Sequence, residues 1–337
     1  MFKIDEKSLS RKESITVRYF YDSIKDKFKL KLLSDDSGFD KLITTKDLHR
    51  PGLALAGFLE SFSYDRVQIF GNNELKFLSH LTKDQQKTTF TRFFEYDIPC
   101  LIFSNNNKPP KLLLDLANKH HVSVFSSPHA TTKTSYLVND FLDDQFATRI
   151  SIHGSFVDVY GAGILFVGKS GIGKSEVALD LIERGHRLVA DDIIILTKKG
   201  ENILMGAGTS LVKHFMEIRG LGLINVEKMF GIRAIRHQKR LEIIVELEFW
   251  DKKQTYTRTG LDEEWITILG VEIPYVRLPI IPGKNITVIS EVISLNYLLK
   301  HYGYDSAKLF EKRLNNQLKS NSKKDLRGVD YFEHDFE

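Results

Sequence analysis

Cys100 is the only cysteine in this chain of 337 residues, which excludes an intrachain disulfide and suits a reducing compartment. Its setting, IPCLIFS, reads as a buried strand rather than a nucleophile, because nothing nearby would lower its pKa. No apolar run approaches the ~20 residues of a membrane span. The opening MFKIDEKSLSRKE lacks the apolar stretch of a signal peptide, so a cytoplasmic protein is expected. No segment repeats. Lys plus Arg number 48 and Asp plus Glu 44, a formal charge of +4. That excess neither demands nor excludes a nucleic acid, and neither a nucleic-acid nor a membrane partner is expected. No G-x-G-x-x-G follows a strand pattern, no N-K-x-D reads guanine, and no L-S-G-G-Q marks a transporter ATPase. Dinucleotide binding, GTPase and transporter readings therefore have no support.

What is present alternates. DRVQIFG, PCLIFSN and VSVFS read as strands, and NELKFLSHL and PPKLLLDLANKHH between them as helices, the pattern of a parallel sheet built from βαβ units. TSYLVNDFLDDQFATR reads as a helix leading out of this region. The length favours two domains. The expected division is a Rossmann-like parallel α/β domain over 1–145, a second α/β domain over 146–314, and a loosely ordered polar tail over 315–337.

The second region holds GKSGIGKS, Gly168–Ser175, which fits G-x-x-x-x-G-K-[ST] at every fixed position. Such a loop cradles phosphate through inward-turned backbone N–H groups. Lys174 places a point charge on the β- and γ-phosphates, and Ser175 offers its hydroxyl to Mg²⁺. Gly168, Lys169, Ser170, Gly171, Ile172, Gly173, Lys174 and Ser175 are the expected nucleotide contacts, with ATP and Mg²⁺ as the ligands. ILFVG before the loop reads as a buried parallel strand. SEVALDLIERG after it puts Val177, Ala178, Leu181 and Ile182 on one helical face, with Gly185 as the stop. The helix start aims its dipole at the phosphates.

Asp192 follows Lys174 by 18 residues in HRLVADDIIIL, leaving room for one helix and one strand. Asp191 and Asp192 end an apolar run, which places at least one acid at a sheet rim on a strand beside the loop. Either acid suits a Mg²⁺ ligand or a base for an incoming hydroxyl. Glu217, read as ending a helix-like stretch before Gly220 and Gly222, is a candidate second acid or a solvated helix-end residue. His153, beside Gly154, either approaches a phosphate or is packed in its strand.

HGSFVDVYGAGILFVGKSGIGKSEVALDLIERGHRLVADD followed by EIRGLGLINV resembles the HPr kinase/phosphorylase family, bacterial enzymes that phosphorylate a regulatory serine on the phosphocarrier protein HPr. RPGLALAGFLESFSYDRVQIFG and YTRTGLDEEWITILGVEIPYVRLPIIPGKN are similar to family segments too, so the likeness covers nearly the whole chain. The resemblance implies a C-terminal phosphate-loop kinase fold related to phosphoenolpyruvate carboxykinase, a homohexamer, and HPr as partner. It also implies active-site roles for His153, Lys174, Asp192 and Arg258, and Mg²⁺ binding by Ser175 and Glu217. Asp192 would accept the serine proton in the kinase direction. It would return a proton when inorganic phosphate attacks phosphoserine to give pyrophosphate.

The chain departs from the family pattern where P-V-R-P-G-R-N becomes PIIPGKN, with Ile281 and Lys284 in place of arginines. That stretch is tied in the family to dephosphorylation; Ile cannot hydrogen-bond phosphate and Lys lacks the bidentate fork of Arg. Lys169 stands where an Asp is common. Two other readings remain open on residues alone: a phosphate-loop kinase for a small metabolite, which needs an enclosed pocket, and a nucleotide-sensing regulator without turnover.

Overall fold

A computed structural model describes residues 8–209, 212–251, 264–281 and 283–321. It forms two compact units, one of Ser10–Thr148 and one beginning at Arg149.

In the first unit, helix α1 (Val17–Phe28) forms because Val17, Phe20, Ile24 and Phe28 recur at helical spacing and are buried, and because Thr16 caps the Tyr19 N–H at 3.1 Å. Strands β1 (Lys31–Leu32), β2 (Leu48–His49), β3 (Val67–Phe70), β4 (Cys100–Phe103) and β5 (Ser123–Ser126) pair in the order β1-β5-β4-β3-β2. β2 to β5 run parallel and β1 is antiparallel at the edge. The parallel strands keep their chain order without reversal, so no switch-point crevice of the dinucleotide-binding kind arises. Helices α2 (Asn72–His80), α3 (Lys83–Phe93) and α4 (Lys111–Lys119) pack Leu78, Phe90, Phe93, Leu113 and Ala117 with Phe70, Leu101, Phe103 and Val124. The alternate strand residues Val67, Ile69, Cys100, Ile102 and Phe125 meet α1 and α5 (Thr131–Gln145). With both faces covered, the strands read as unbroken apolar runs. Cys100 is fully buried, and that burial pushes its thiol pKa up. The helix expected to lead out of the unit is α5, which instead seats Val138 and Leu142 in its core.

The second unit is a mixed sheet. Eight of its strands, β6 (Arg149–Val159), β7 (Ala162–Gly168), β8 (Arg187–Lys199), β9 (Ile203–Gly208), β12 (Lys239–Arg240), β13 (Ile243–Phe249), β14 (Glu264–Ile268) and β15 (Val271–Ile280), run in the order β12-β9-β8-β6-β7-β13-β15-β14. The hairpin of β10 (Phe215–Ile218) and β11 (Gly222–Asn225) stands apart from it. β7 is parallel to β13, as its apolar run predicts, but antiparallel to β6. Helix α6 (Lys174–Glu183) buries Val177, Ala178, Leu181 and Ile182 on one sheet face, beside α8 (Ile286–His301). Each such side chain contributes about 1.5–3 kcal/mol on burial. Gly185, at φ +94°, ends α6 in the left-handed region.

The expected polar tail starts within a helix. α9 (Ser306–Asn321) runs past Asn315 because Asp305 accepts from the N–H groups of Ala307 and Lys308, and because Phe310, Leu314 and Leu318 recur at helical spacing. Residues 322–337 lie outside the described residues. Among the described residues, no helix is long and apolar enough to cross a membrane.

Candidate active site

The site begins where β7 ends. Gly168, at φ +136°, lies so close to the Leu247 carbonyl on the parallel neighbour β13 that a Cβ would collide with it. The loop turns through Gly171 at φ +77° and Gly173 at φ +103°, and α6 starts without a side-chain cap. Its first N–H groups are therefore left for an external anion. Lys174 Nζ folds back on the carbonyls of Gly168 and Lys169, at 3.2 Å each. Burial lowers its pKa, while Asp191 and Asp192 oppose that shift.

The two acids sit within β8, not at a strand end as the apolar run predicts. β8 pairs with β6, and β6 separates it from β7. A register shift between Leu188 and Ala190 breaks the ladder just before the acids. Neighbouring strand residues point to opposite faces, so the pair divides. Asp191 is buried and accepts from Ser155 Oγ at 2.5 Å and from Ser175 Oγ at 3.0 Å. Burial raises its pKa; the two hydroxyls and the backbone N–H groups of Glu217 and Asp192 draw it back down. Asp192 takes a left-handed backbone, φ +67°, a strained conformation for a residue other than glycine. Its side chain is 67% exposed, and Oδ1 lies 3.5 Å from Nδ1 of His153, itself 80% exposed. That exposure rules out the packed strand histidine as a description of His153.

Glu217 lies on β10, not at a helix end. Gly220, at φ +84°, and Gly222, at φ +94°, close a hairpin in which Glu217 faces Leu223 across the ladder. Its side chain is exposed, while its main chain holds Asp191. The same hairpin supplies Arg219, which sequence reasoning missed: Nη2 donates to Ser170 Oγ at 3.3 Å, and a Cβ on Gly171 would strike the guanidinium. A separation of 49 residues leaves no local signal for that contact. Ser155 was missed for the same reason. Lys284 lies in a turn closed by its N–H to the Ile281 carbonyl at 3.1 Å. A cavity of about 420 Å³ between residues 283–287 and Glu176, Val177 and Asp180 sets that turn against the first turns of α6. Arg258 lies outside the described residues.

Among the described residues, no group of three or more His, Cys, Asp or Glu is placed to hold a metal ion by itself. Ser175, Asp191 and Glu217 offer only oxygen donors. That chemistry suits a hard cation that keeps its waters and takes phosphate oxygens, and not a soft metal.

A strand, a phosphate loop and an uncapped helix, with carboxylates set against the loop, define a phosphate-loop phosphotransferase. A family model described as HPr Serine kinase N terminus matches residues 15–142, and one described as HPr Serine kinase C-terminal domain matches 144–314. The HPr kinase/phosphorylase of Chloroherpeton thalassium is 55% identical over 332 residues, covering 97% of this chain and 98% of the relative. That of Prosthecochloris aestuarii is 51% identical over 338 residues, covering 99% of each chain. The solved structure of the Hpr(Ser) kinase/phosphatase from Coxiella burnetii is 36% identical at a TM-score of 0.43, covering 48% of this chain and 97% of its own. The chain belongs to the HPr serine kinase family and is a kinase/phosphorylase enzyme.

Proposed function

We propose that this enzyme transfers a phosphoryl group of ATP, or of pyrophosphate, to a serine of HPr and runs the reverse phosphorolysis, thereby regulating carbon metabolism. The observation that carries the reading is the exposed Asp192–His153 pair next to Lys174, open to solvent as a protein-borne acceptor requires. A cavity of about 570 Å³ among residues such as Arg240, Trp265 and Tyr297 flanks the N-terminal ends of β13 and β15. The loop follows the C-terminal end of β7, which is parallel to β13, so that cavity is at the opposite end of the sheet.

In the kinase direction Asp192 accepts the serine proton as the hydroxyl oxygen bonds to the γ-phosphorus and the bond to the β-phosphate oxygen breaks. In reverse, inorganic phosphate attacks the phosphoserine, pyrophosphate forms, and Asp192 returns a proton to the serine oxygen. His153 sits within reach of Asp192 and orients it. Lys174 and the loop N–H groups hold the phosphates, and Arg258 is assigned to the same active site by its match to the family motif. Mg²⁺ would be held by Ser175 and Glu217, with Asp191 behind the Ser175 hydroxyl, and supplies charge neutralisation to the phosphates. The enzyme is expected to work in the cytoplasm as a homohexamer. The 1–145 region serves as a separate α/β domain and 146–314 as the kinase/phosphorylase domain.

Incubation with radiolabelled ATP, Mg²⁺ and purified HPr should place label on a serine; absence of label on HPr overturns the reading. The direction is biased toward the kinase, because the turn beside α6 offers Lys284 and Ile281 where two guanidinium groups would stabilise the crowded oxygens of phosphorolysis. Ile281→Arg with Lys284→Arg should raise pyrophosphate release from phosphorylated HPr more than it alters the kinase rate. Equal shifts in both directions would refute the bias.

A further inference from the structure

The β10–β11 hairpin buries one face and bares the other. Met216 and Ile224 point into the core of the unit. On the opposite face, Glu217 and Leu223 are directly paired, so their side chains stand side by side. Leu223 is 71% exposed and Leu221, in the turn, 69%. The chain then runs straight into α7 (Val226–Phe230) and the turn after it, where Met229 is 60% and Ile232 72% exposed. Four large apolar side chains therefore stand in solvent within twelve residues of chain, and grouped exposed apolar side chains mark interaction sites on monomers. Arg219, Lys228 and Arg233 interleave with them along the chain.

We propose that this face of the hairpin, centred on Leu221 and Leu223, is where the phosphate-accepting protein docks, through an apolar patch beside its acceptor serine. The proposal rests on the reading that the acceptor is a protein. Position argues for that occupant. The strand that bears Leu223 is hydrogen-bonded to the one whose backbone holds Asp191, and Arg219 in the turn between them lies on the phosphate loop. A folded protein that brings a serine to the site spreads over the surface around the phosphate loop, of which this hairpin is a part, whereas a small metabolite would leave the hairpin uncovered. The surface is thus continuous with the transfer site. Apolar contact supplies the affinity, and the interleaved cations favour an acceptor surface whose margin is acidic or neutral.

The test is steady-state kinetics with HPr as varied substrate on wild type, Leu221→Ser/Leu223→Ser and the conservative Leu223→Met, alongside ATP affinity by equilibrium binding and oligomeric state by light scattering. Both leucines are exposed, so the double variant should fold. It should raise the KM for HPr about tenfold or more, with kcat at saturating HPr and the Kd for ATP within about twofold of wild type, while Leu223→Met restores most of the affinity. An unchanged KM overturns the proposal, as does a loss confined to ATP binding. A changed oligomeric state with unchanged KM assigns the face to a second copy of the chain instead. Failure of the wild type itself to label HPr would refute the acceptor reading, and the docking surface with it; that outcome is separate from an unchanged KM in the variant.

Discussion

Each unit leads a parallel strand through glycine into a helix, β3 into α2 and β7 into α6, and the two helix starts are finished differently. In the first unit β3 leads through Gly71 into α2, and the carboxylate of Glu74, in the first turn of α2, accepts the Gly71 N–H at 2.8 Å. Arg50 neutralises that carboxylate at 2.9 Å. In the second unit β7 leads through Gly168–Gly173 into α6, with no side-chain cap and with Lys174 and Arg219 beside the opening. A helix start presents unpaired N–H groups and the positive end of a dipole. The first unit turns its own acid back on the Gly71 N–H at this start, and the second leaves its start for a phosphate. An anion site arises when such a helix start is kept empty and lined with cations.

The largest expected effect breaks that contrast at its centre. Lys174→Ala removes the cation assigned to the β- and γ-phosphates, so ATP binding and phosphoryl transfer should fall together by about 10³-fold or more. Normal turnover in that variant would end the phosphate-site assignment. Next is the division between the acids. Asp192→Asn should leave equilibrium ATP binding intact and lower kcat by about 10² to 10⁴, whereas Asp191→Asn should weaken Mg²⁺-dependent nucleotide affinity more than kcat. The reverse pattern would exchange their roles.

The sealed helix gives a stability effect. Glu74→Ala orphans the Gly71 N–H and the Arg50 guanidinium and should cost the first unit about 1–2 kcal/mol, read as an earlier denaturant midpoint with the kinase rate unchanged. A lost kinase rate at unchanged stability would show that the two helix starts are coupled.

The smallest effect lies at the other end of α6. Glu291 on α8 accepts from Arg184 Nη2 at 2.7 Å and meets His186 at 3.0 Å. The Arg184 hydrogen bond, then that of His186, depresses its pKa from 4.5 to about 2. A depressed carboxylate stabilises the fold above its unfolded pKa and loses that contribution as pH falls through the folded value. Stability should therefore drain between about pH 4.5 and about pH 2. Denaturant midpoints across that window should fall in wild type and stay flatter in Glu291→Gln. Parallel curves would refute the linkage.

The short runs DRVQIFG, PCLIFSN and VSVFS were legible as strands because helices cover both sheet faces and force them to be apolar. α3 was not: KDQQKTTFTRF buries only Phe90 and Phe93, too few for a period to show. Its one local signal was the reciprocal cap, in which Thr82 N–H donates to Gln85 Oε1 at 2.8 Å and Gln85 N–H to Thr82 Oγ1 at 3.3 Å. Glu217 was read as the end of a helix because a four-residue strand next to two glycines gives no strand period.

By itself, the sequence determined the phosphate loop, the helix it opens and the family likeness. These reside in contiguous residues whose glycine spacing and apolar face act over one or two turns of chain. Only the tertiary structure decided which of two adjacent aspartates is buried against Ser155 and Ser175 and which faces His153 in solvent, and that Arg219 lies on the loop. Asp191 and Asp192 have the same chemistry and neighbouring numbers. What separates them is the face of β8 on which each falls, fixed by a ladder irregularity and by strands that pair from far along the chain.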